Sequence, residues 1–178
     1  MKITEDAFNR AQKVKLIIFD VDGTLTDGGI YIGTSGELFK AFNCQDGFAI
    51  VTAHKLGFKT AIITGRESVI TTNRAKELGI TAVKQGHLDK RNAYKELKAE
   101  FNLRDDEIAY IGDDIIDLPV LVQVGFRAAV GNARIEVKER AHFVAENDGG
   151  RGAVRDVMEF ILKAQGKWAK LVQEYETV

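Results

Sequence analysis

The sequence predicts an α/β fold: a Rossmann-like parallel sheet with helices on both faces, a small β-hairpin insert and no cap domain. Three observations predict it. Short apolar runs alternate with longer amphipathic stretches, the pattern of βαβ units. The runs are nearly continuous rather than alternating in polarity, which suits strands covered on both faces. Several of them also stop abruptly at polar residues, as strands do at the carboxyl edge of an open sheet, where ligands bind.

The elements follow in order. Lys15–Phe19 is the first strand and ends in Asp20-Val-Asp22-Gly23, where glycine allows a sharp turn and close approach to a ligand. Residues Gly28–Phe42 read Ile-Tyr-Ile, then Gly-Thr-Ser-Gly-Glu, then Leu-Phe-Lys-Ala-Phe, a β-hairpin with a longer loop. A helix over Gly47–Leu56 stops at Gly57, and strand Lys59–Ile63 follows. Helix Ser68–Leu78 stops at Gly79 before strand Ala82–Lys84. Asp89 is placed to cap a helix over Lys90–Phe101. Strand Ile108–Ile111, helix Ile115–Val124, strand Phe126–Ala129 and helices Ile135–Arg140 and Ala153–Gln165 complete the pattern. Trp168 and Tyr175 fall in a polar end, so residues 149–178 are read as a C-terminal tail.

Composition limits the function. With 178 residues, 45% of them hydrophobic, the chain can bury one sizeable core and is expected to be a single domain over residues 1–178. A net charge of −1 gives no basis for binding nucleic acid or an anionic membrane. No stretch approaches the roughly 20 apolar residues of a membrane span. The lone Cys44 excludes an intramolecular disulfide, fits a reducing compartment and is expected to pack as a small hydrophobe. The N-terminal residues lack the apolar core of a secretory signal. A cytoplasmic location is expected.

Three later strand ends match the first. Ile63 is followed by Thr64-Gly65-Arg66, Lys90 begins a helix soon after another strand, and Ile111 leads into Gly112-Asp113-Asp114, with Asp117 beyond. Carboxylates from two strand ends, Asp20 and Asp113, can hold a hard cation, and oxygen ligands suit Mg²⁺. A hydroxyl at Thr64 and a compact charge at Lys90 suit a phosphoryl group, whose transfer depends on positioning and charge neutralisation. A carboxylate can attack phosphorus, and a second carboxyl can protonate the leaving alkoxide, its like-charged neighbour helping it keep the proton. Asp113 and Asp114 also suit the simpler task of capping the helix near Ile115. His54, His87 and His142 have no metal-ligand spacing.

Asp-Val-Asp-Gly-Thr, Ile-Thr-Gly-Arg, Lys90 and Gly-Asp-Asp-Ile-Ile-Asp resemble, in motif order, the four motifs of the haloacid dehalogenase superfamily. The resemblance implies a Mg²⁺-dependent phosphatase with Asp20 as nucleophile and Asp22 as general acid/base. It implies metal ligation by Asp20, the backbone carbonyl of Asp22, and Asp113. Asp114 and Asp117 become supports of that shell, and Thr64 and Lys90 bind phosphate. Only 44 residues separate Asp20 from Thr64 and 26 separate Thr64 from Lys90, too few for a lid domain. The hairpin and tail are the available covers.

From about Val14 to Gly166 the chain also resembles one capless branch, the 3-deoxy-D-manno-octulosonate 8-phosphate (KDO 8-phosphate) phosphatases. The shared segments are Thr-Asp-Gly-Gly-Ile-Tyr at 26–31, Lys-Ala-Phe-Asn at 40–43, Asp46-Gly47, Ala109-Tyr-Ile-Gly-Asp-Asp and Gly149-Gly-Arg-Gly-Ala-Val-Arg155. This resemblance implies a homotetramer built through the hairpins and a tail reaching a neighbour's site. It also implies a role in lipopolysaccharide precursor synthesis. Substrate contacts are then expected from Asp22, Asn43, Asp46, Gly47, Gly65, Arg66, Arg74 and Arg151. The chain departs from many relatives at Thr24 and at Cys44-Gln45, the latter lacking a possible anion-binding charge. Two alternatives remain at this level. Phosphatases of neuraminate-type 9-phosphates are similar but carry Glu after Thr-Gly, where this chain has Arg66. A non-catalytic scaffold of the same fold is the other, although a scaffold need not keep repelling carboxylates.

Overall fold

The computed structural model describes residues 4–177; residues 1–3 and 178 of the expected domain and tail lie outside the described residues. Its main sheet is formed by β1 (Leu16–Phe19), β4 (Lys59–Ile63), β5 (Ala82–Lys84), β6 (Ile108–Gly112), β7 (Phe126–Ala129) and β8 (Phe143–Val144). All five pairings are parallel, in the order β5-β4-β1-β6-β7-β8. A separate antiparallel pair, β2 (Tyr31–Gly33) and β3 (Gly36–Phe39), is the hairpin. Strands β1 and β6 are buried throughout, which explains why their sequences are unbroken apolar runs.

The order places the site. From β1 the chain winds outward to β4 and β5, then crosses back to β6 and winds the other way, so the direction reverses between β1 and β6. A crevice opens beyond the carboxyl ends of strands at such a reversal. The register pairs Phe19 with both Ile62 and Ile111. Thr64 and Asp113 therefore leave their strands level with each other, one residue past Asp20.

Right-handed crossovers require helices on opposite faces for opposite winding directions. Accordingly α2 (Cys44–Lys55) packs with α3 (Val69–Leu78) and with α7 (Ala153–Ala164), while α4 (Arg91–Glu100) packs with α5 (Leu118–Leu121). Local chemistry sets the helix ends. Ser68 Oγ accepts from the Thr71 N–H at 3.2 Å, Asp89 Oδ1 accepts from the Arg91 N–H at 3.1 Å, and Gly79 closes α3 in a left-handed conformation at φ +69°.

The structure departs from the sequence reading in several places. The helix expected over 115–124 is a 3₁₀ turn, Ile115–Asp117, followed by the short α5. Asp117 folds back to accept from the Asp113 and Asp114 N–H groups, which tightens the turn, and Pro119 opens α5 without an N–H to continue the ladder. A helix α1 (Glu5–Ala11), capped by Thr4, and strand β8 are additional. Between β7 and β8 lies α6 (Ile135–Lys138).

The expected tail is largely core. Helix α7 buries Val154, Val157, Met158, Phe160, Ile161 and Leu162 among its residues, and it packs on α1 and α2. Burying one such side chain contributes about 1.5–3 kcal/mol, so removing α7 would consume a typical domain stability of about 5–15 kcal/mol. Truncation after Gly150 cannot leave the fold intact. The end of the chain forms α8 (Trp168–Glu176), with Leu171 buried and the Arg155 guanidinium between the Phe48 and Trp168 rings. Cys44, expected to be packed, is exposed in the first turn of α2.

Candidate active site

Groups from the β1 and β6 strand ends meet at Lys90, which follows β5. Its side chain is fully buried, and Nζ donates to Asp20 Oδ1 at 2.5 Å, Asp117 Oδ1 at 2.6 Å and the Tyr110 hydroxyl at 3.1 Å. Burial works against a charge on Lys90, but Asp20 and Asp117 outweigh it and raise its pKa. Lys90 is thus held as an ammonium.

Asp117 is saturated. One oxygen takes Lys90 and the Tyr110 hydroxyl (2.6 Å), and the other takes the Asp113 N–H at 2.9 Å and the Asp114 N–H at 3.2 Å. Its carboxylate lies with those of Asp20 and Asp113 in a cluster whose ligand oxygens are within 4.8 Å of one another. With all its lone pairs engaged, Asp117 supports Lys90 and the Asp113 loop rather than offering a ligand. Asp114 faces solvent, and its Oδ1 accepts from the Ile115 N–H at 2.7 Å. Its role here is the cap.

Charge does not balance in this cluster. Three carboxylates face one ammonium. Burial raises the Asp20 carboxyl above the ordinary range, with Lys90 opposing and Asp117 and Asp113 adding to the shift. Burial and then Asp117 raise Asp113 to about 6. Two uncompensated charges on hard oxygen donors fit a divalent cation such as Mg²⁺. The residues present therefore suit the expected metal.

The glycine of the first motif has a packing reason. Gly23 sits at φ +97°, and a Cβ there would lie 2.2 Å from Asp113 Oδ2. Thr24, which the sequence reading left without a role, donates its hydroxyl to Asp113 Oδ1 at 3.2 Å. The first and fourth motifs are thereby fixed to one another.

Asp22 has other company than expected. Its side-chain partners are cationic: Lys40 Nζ bonds Oδ1, and Arg66 Nε lies 3.9 Å from Oδ2. Lys40 thus reaches this site, although the sequence reading gave it no role.

Thr64 is buried, donating its N–H to the Lys84 carbonyl and accepting from the His87 N–H through its own. A Cβ on Gly65 would press to 3.1 Å from the Leu88 side chain. Other expected substrate ligands make structural contacts as well. Asn43 Oδ1 caps α2 by accepting from the Gln45 and Asp46 N–H groups at 2.7 and 3.4 Å. Asp46 is buried, and its Oδ1 accepts from the Arg155 N–H at 2.7 Å in the first turn of α7; burial raises its pKa to about 6. Gly47 leaves room for the Arg74 guanidinium, which pairs with Glu77 at 2.9 Å and covers the Phe42 ring. Asn43, Asp46, Gly47 and Arg74 thus all make structural contacts, yet Asp46 Oδ2 and Arg74 Nε are buried without a hydrogen-bond partner.

Arg151 is different. It is 71% exposed and pairs with Asp27 at 3.4 Å. Its loop docks on the first motif: the Gly150 N–H donates to the Thr24 carbonyl at 3.0 Å, and a Cβ on Gly149 would lie 1.7 Å from the Gly23 carbonyl oxygen. Only glycines permit this contact.

Residues 82–158 match the model of the haloacid dehalogenase-like hydrolases. The 3-deoxy-D-manno-octulosonate 8-phosphate phosphatase KdsC of Yersinia pestis is 46% identical over 165 residues, 93% of this chain and 88% of that protein. This chain belongs to the KDO 8-phosphate phosphatase family. The Escherichia coli K12 member is 42% identical over the same share of each chain. Among solved members, the Moraxella catarrhalis phosphatase, in complex with magnesium ion, phosphate ion and KDO, superposes with a TM-score of 0.93 at 37% identity. That match covers 97% of this chain and 99% of the other. The cobalt-bound Haemophilus influenzae member gives 0.90 at 35% identity, over 94% and 99% of the two chains.

Proposed function

We propose that this chain is a Mg²⁺-dependent phosphatase that hydrolyses KDO 8-phosphate to KDO and phosphate, in lipopolysaccharide precursor synthesis. The observation that carries the reading is the presence of all four strand-end motifs, with Asp20 and Asp117 bonded to the buried Lys90, in a chain 46% identical to a family member over 93% of its length.

The chemistry follows from the residues. A carboxylate oxygen of Asp20 attacks phosphorus, the bond from phosphorus to the sugar oxygen breaks, and an aspartyl-phosphate forms. Lys90 holds Asp20 in place and offsets its charge. Asp22 passes a proton to the leaving alkoxide, then takes one from water, which attacks phosphorus and frees Asp20. Thr64 offers its hydroxyl to the phosphoryl oxygens. Asp20, Asp113 and the Asp22 carbonyl would hold Mg²⁺, which supplies charge neutralisation between nucleophile and phosphate when bound. Arg66 and Arg151, both exposed near Asp22 and its loop, are the groups left to meet the substrate carboxylate as bidentate donors. A cytoplasmic homotetramer assembled through the hairpins is part of this reading. The hairpin supports it by exposing Ile32, Leu38 and Phe39 to solvent.

The test is phosphate release from a panel of sugar phosphates with Mg²⁺. Preference for the eight-carbon acid is expected, and equal rates across the panel would overturn the substrate. Asp20→Asn should abolish turnover; an active, metal-dependent variant would refute the nucleophile.

A further inference from the structure

Lys40 follows β3 where the hairpin returns to the core, and its side chain is 1% exposed. An ammonium is costly to bury unless it is paired. Here it bridges two carboxylates, bonding Asp22 Oδ1 and lying 3.1 Å from Glu37 Oε1. Glu37, on β3, accepts from the Ser68 hydroxyl through its other oxygen. Ser68 caps α3, and its own N–H donates to Gln85 Oε1 at 2.9 Å. An unbroken series of bonds thus runs from the nucleophile loop through the hairpin to the helix that follows Thr64-Gly65-Arg66.

We propose that Lys40 is the positioning residue for Asp22, anchored by Glu37 and Ser68, so that the hairpin is part of the proton-transfer apparatus. The argument is geometric. A carboxyl that serves both the leaving oxygen and the attacking water must stay within hydrogen-bond reach of each. Asp22 projects from a loop, and its side chain has several rotamers open to it. Its one close side-chain bond is to Lys40, and Lys40 is fixed in turn by a carboxylate on the hairpin. The inference rests on the reading of Asp22 as the proton carrier. A bland role, pinning the hairpin for stability alone, predicts a different result.

A double-mutant cycle separates the two. Wild type, Lys40→Met, Asp22→Asn and the double variant are assayed with Mg²⁺ on KDO 8-phosphate and on p-nitrophenyl phosphate, whose good leaving group keeps slow variants measurable. Methionine retains the length of the lysine side chain without its charge. General acid–base catalysis supplies about 10²- to 10⁴-fold, so losing the positioning should lower kcat at least about tenfold with KM within about threefold. In the Asp22→Asn background the same change should cost less than about twofold, because nothing remains to be positioned. An equal factor in both backgrounds, or a change in KM alone, overturns the proposal. If Lys40→Met does not fold, Glu37→Gln is carried through the same cycle. It should give a smaller kcat loss that again vanishes with Asp22→Asn, and additivity there overturns the proposal equally. Wild type inactive on both esters would remove the phosphatase reading and this inference with it, an outcome distinct from an active enzyme with an additive cycle.

Discussion

Lys90 and Lys40 are both buried, and each bridges two carboxylates, yet they belong to different parts of the molecule. Lys90 stands at the start of α4 beneath the sheet's carboxyl edge, and its partners Asp20, Asp117 and Tyr110 come from the two central strand ends. Lys40 follows a peripheral hairpin that exposes Ile32, Leu38 and Phe39. Asp20 is therefore held by the fold itself, whereas Asp22 is held by an insertion outside the main sheet. On the proposed mechanism, attack on phosphorus is built into the core and proton transfer depends on the order of the hairpin.

The largest effect that can break this contrast comes from Lys90→Met. It leaves Asp20 and Asp117 buried without their cation, and stranding one partner of a buried pair costs about 3–5 kcal/mol. Urea unfolding should show a loss of that size, together with loss of phosphatase activity. Lys40→Met should be milder in the same measurement, because Asp22 keeps 18% of its side chain exposed and can take water instead. Equal destabilisation by the two variants would mean that the hairpin is as much core as α4.

The same contrast explains what could be read from sequence. Thr64 and Asp113 can be placed from the sequence because each directly follows an apolar strand, and Lys90 because it opens the helix after the next one, and the sheet carries strand ends to one edge. Lys40 cannot, because Glu-Leu-Phe-Lys reads as an ordinary solvated hairpin strand, and nothing local says that the lysine turns inward. Asn43 and Asp46 are residue types that also cap helices; only the structure shows Asn43 Oδ1 on α2 and Asp46 Oδ1 on α7, with Asp46 Oδ2 left unpartnered. Helix α8 carried a readable signal, since Trp168, Leu171, Val172 and Tyr175 have the i, i+3, i+4, i+7 spacing of a helix face. Strand β8, two residues long, carried none.

A smaller effect sharpens the role of the loop before α7. Gly149→Ala would put a Cβ 1.7 Å from the Gly23 carbonyl oxygen, so the loop or the first motif must move. Overpacking of this kind costs about 1–3 kcal/mol. Gly23 in turn abuts Asp113, so the displacement should reach the metal ligands. A folded variant with markedly reduced kcat and weakened Mg²⁺ dependence is expected. Full activity would show that the first motif holds its shape from the sheet side alone.

The smallest effect on stability, and the cleanest test of recognition, is Arg151→Ala. The side chain is 71% exposed and its pair with Asp27 is 3.4 Å long, so screening and rotamer entropy leave the pair little net worth. The melting temperature should hardly change. Any rise in KM for the sugar-acid phosphate then reports a lost contact with substrate rather than a disturbed fold. Removing one charge-assisted hydrogen bond is worth about 1.5–3 kcal/mol, so KM should rise about tenfold or more with kcat retained. If KM does not move, the Gly149–Gly152 loop is only a buttress for the nucleophile loop, and recognition of the carboxylate falls to Arg66, 3.9 Å from Asp22. If it does, the same four residues brace the nucleophile from behind and present an arginine in front, which ties substrate capture to the integrity of the core-side support rather than to the hairpin.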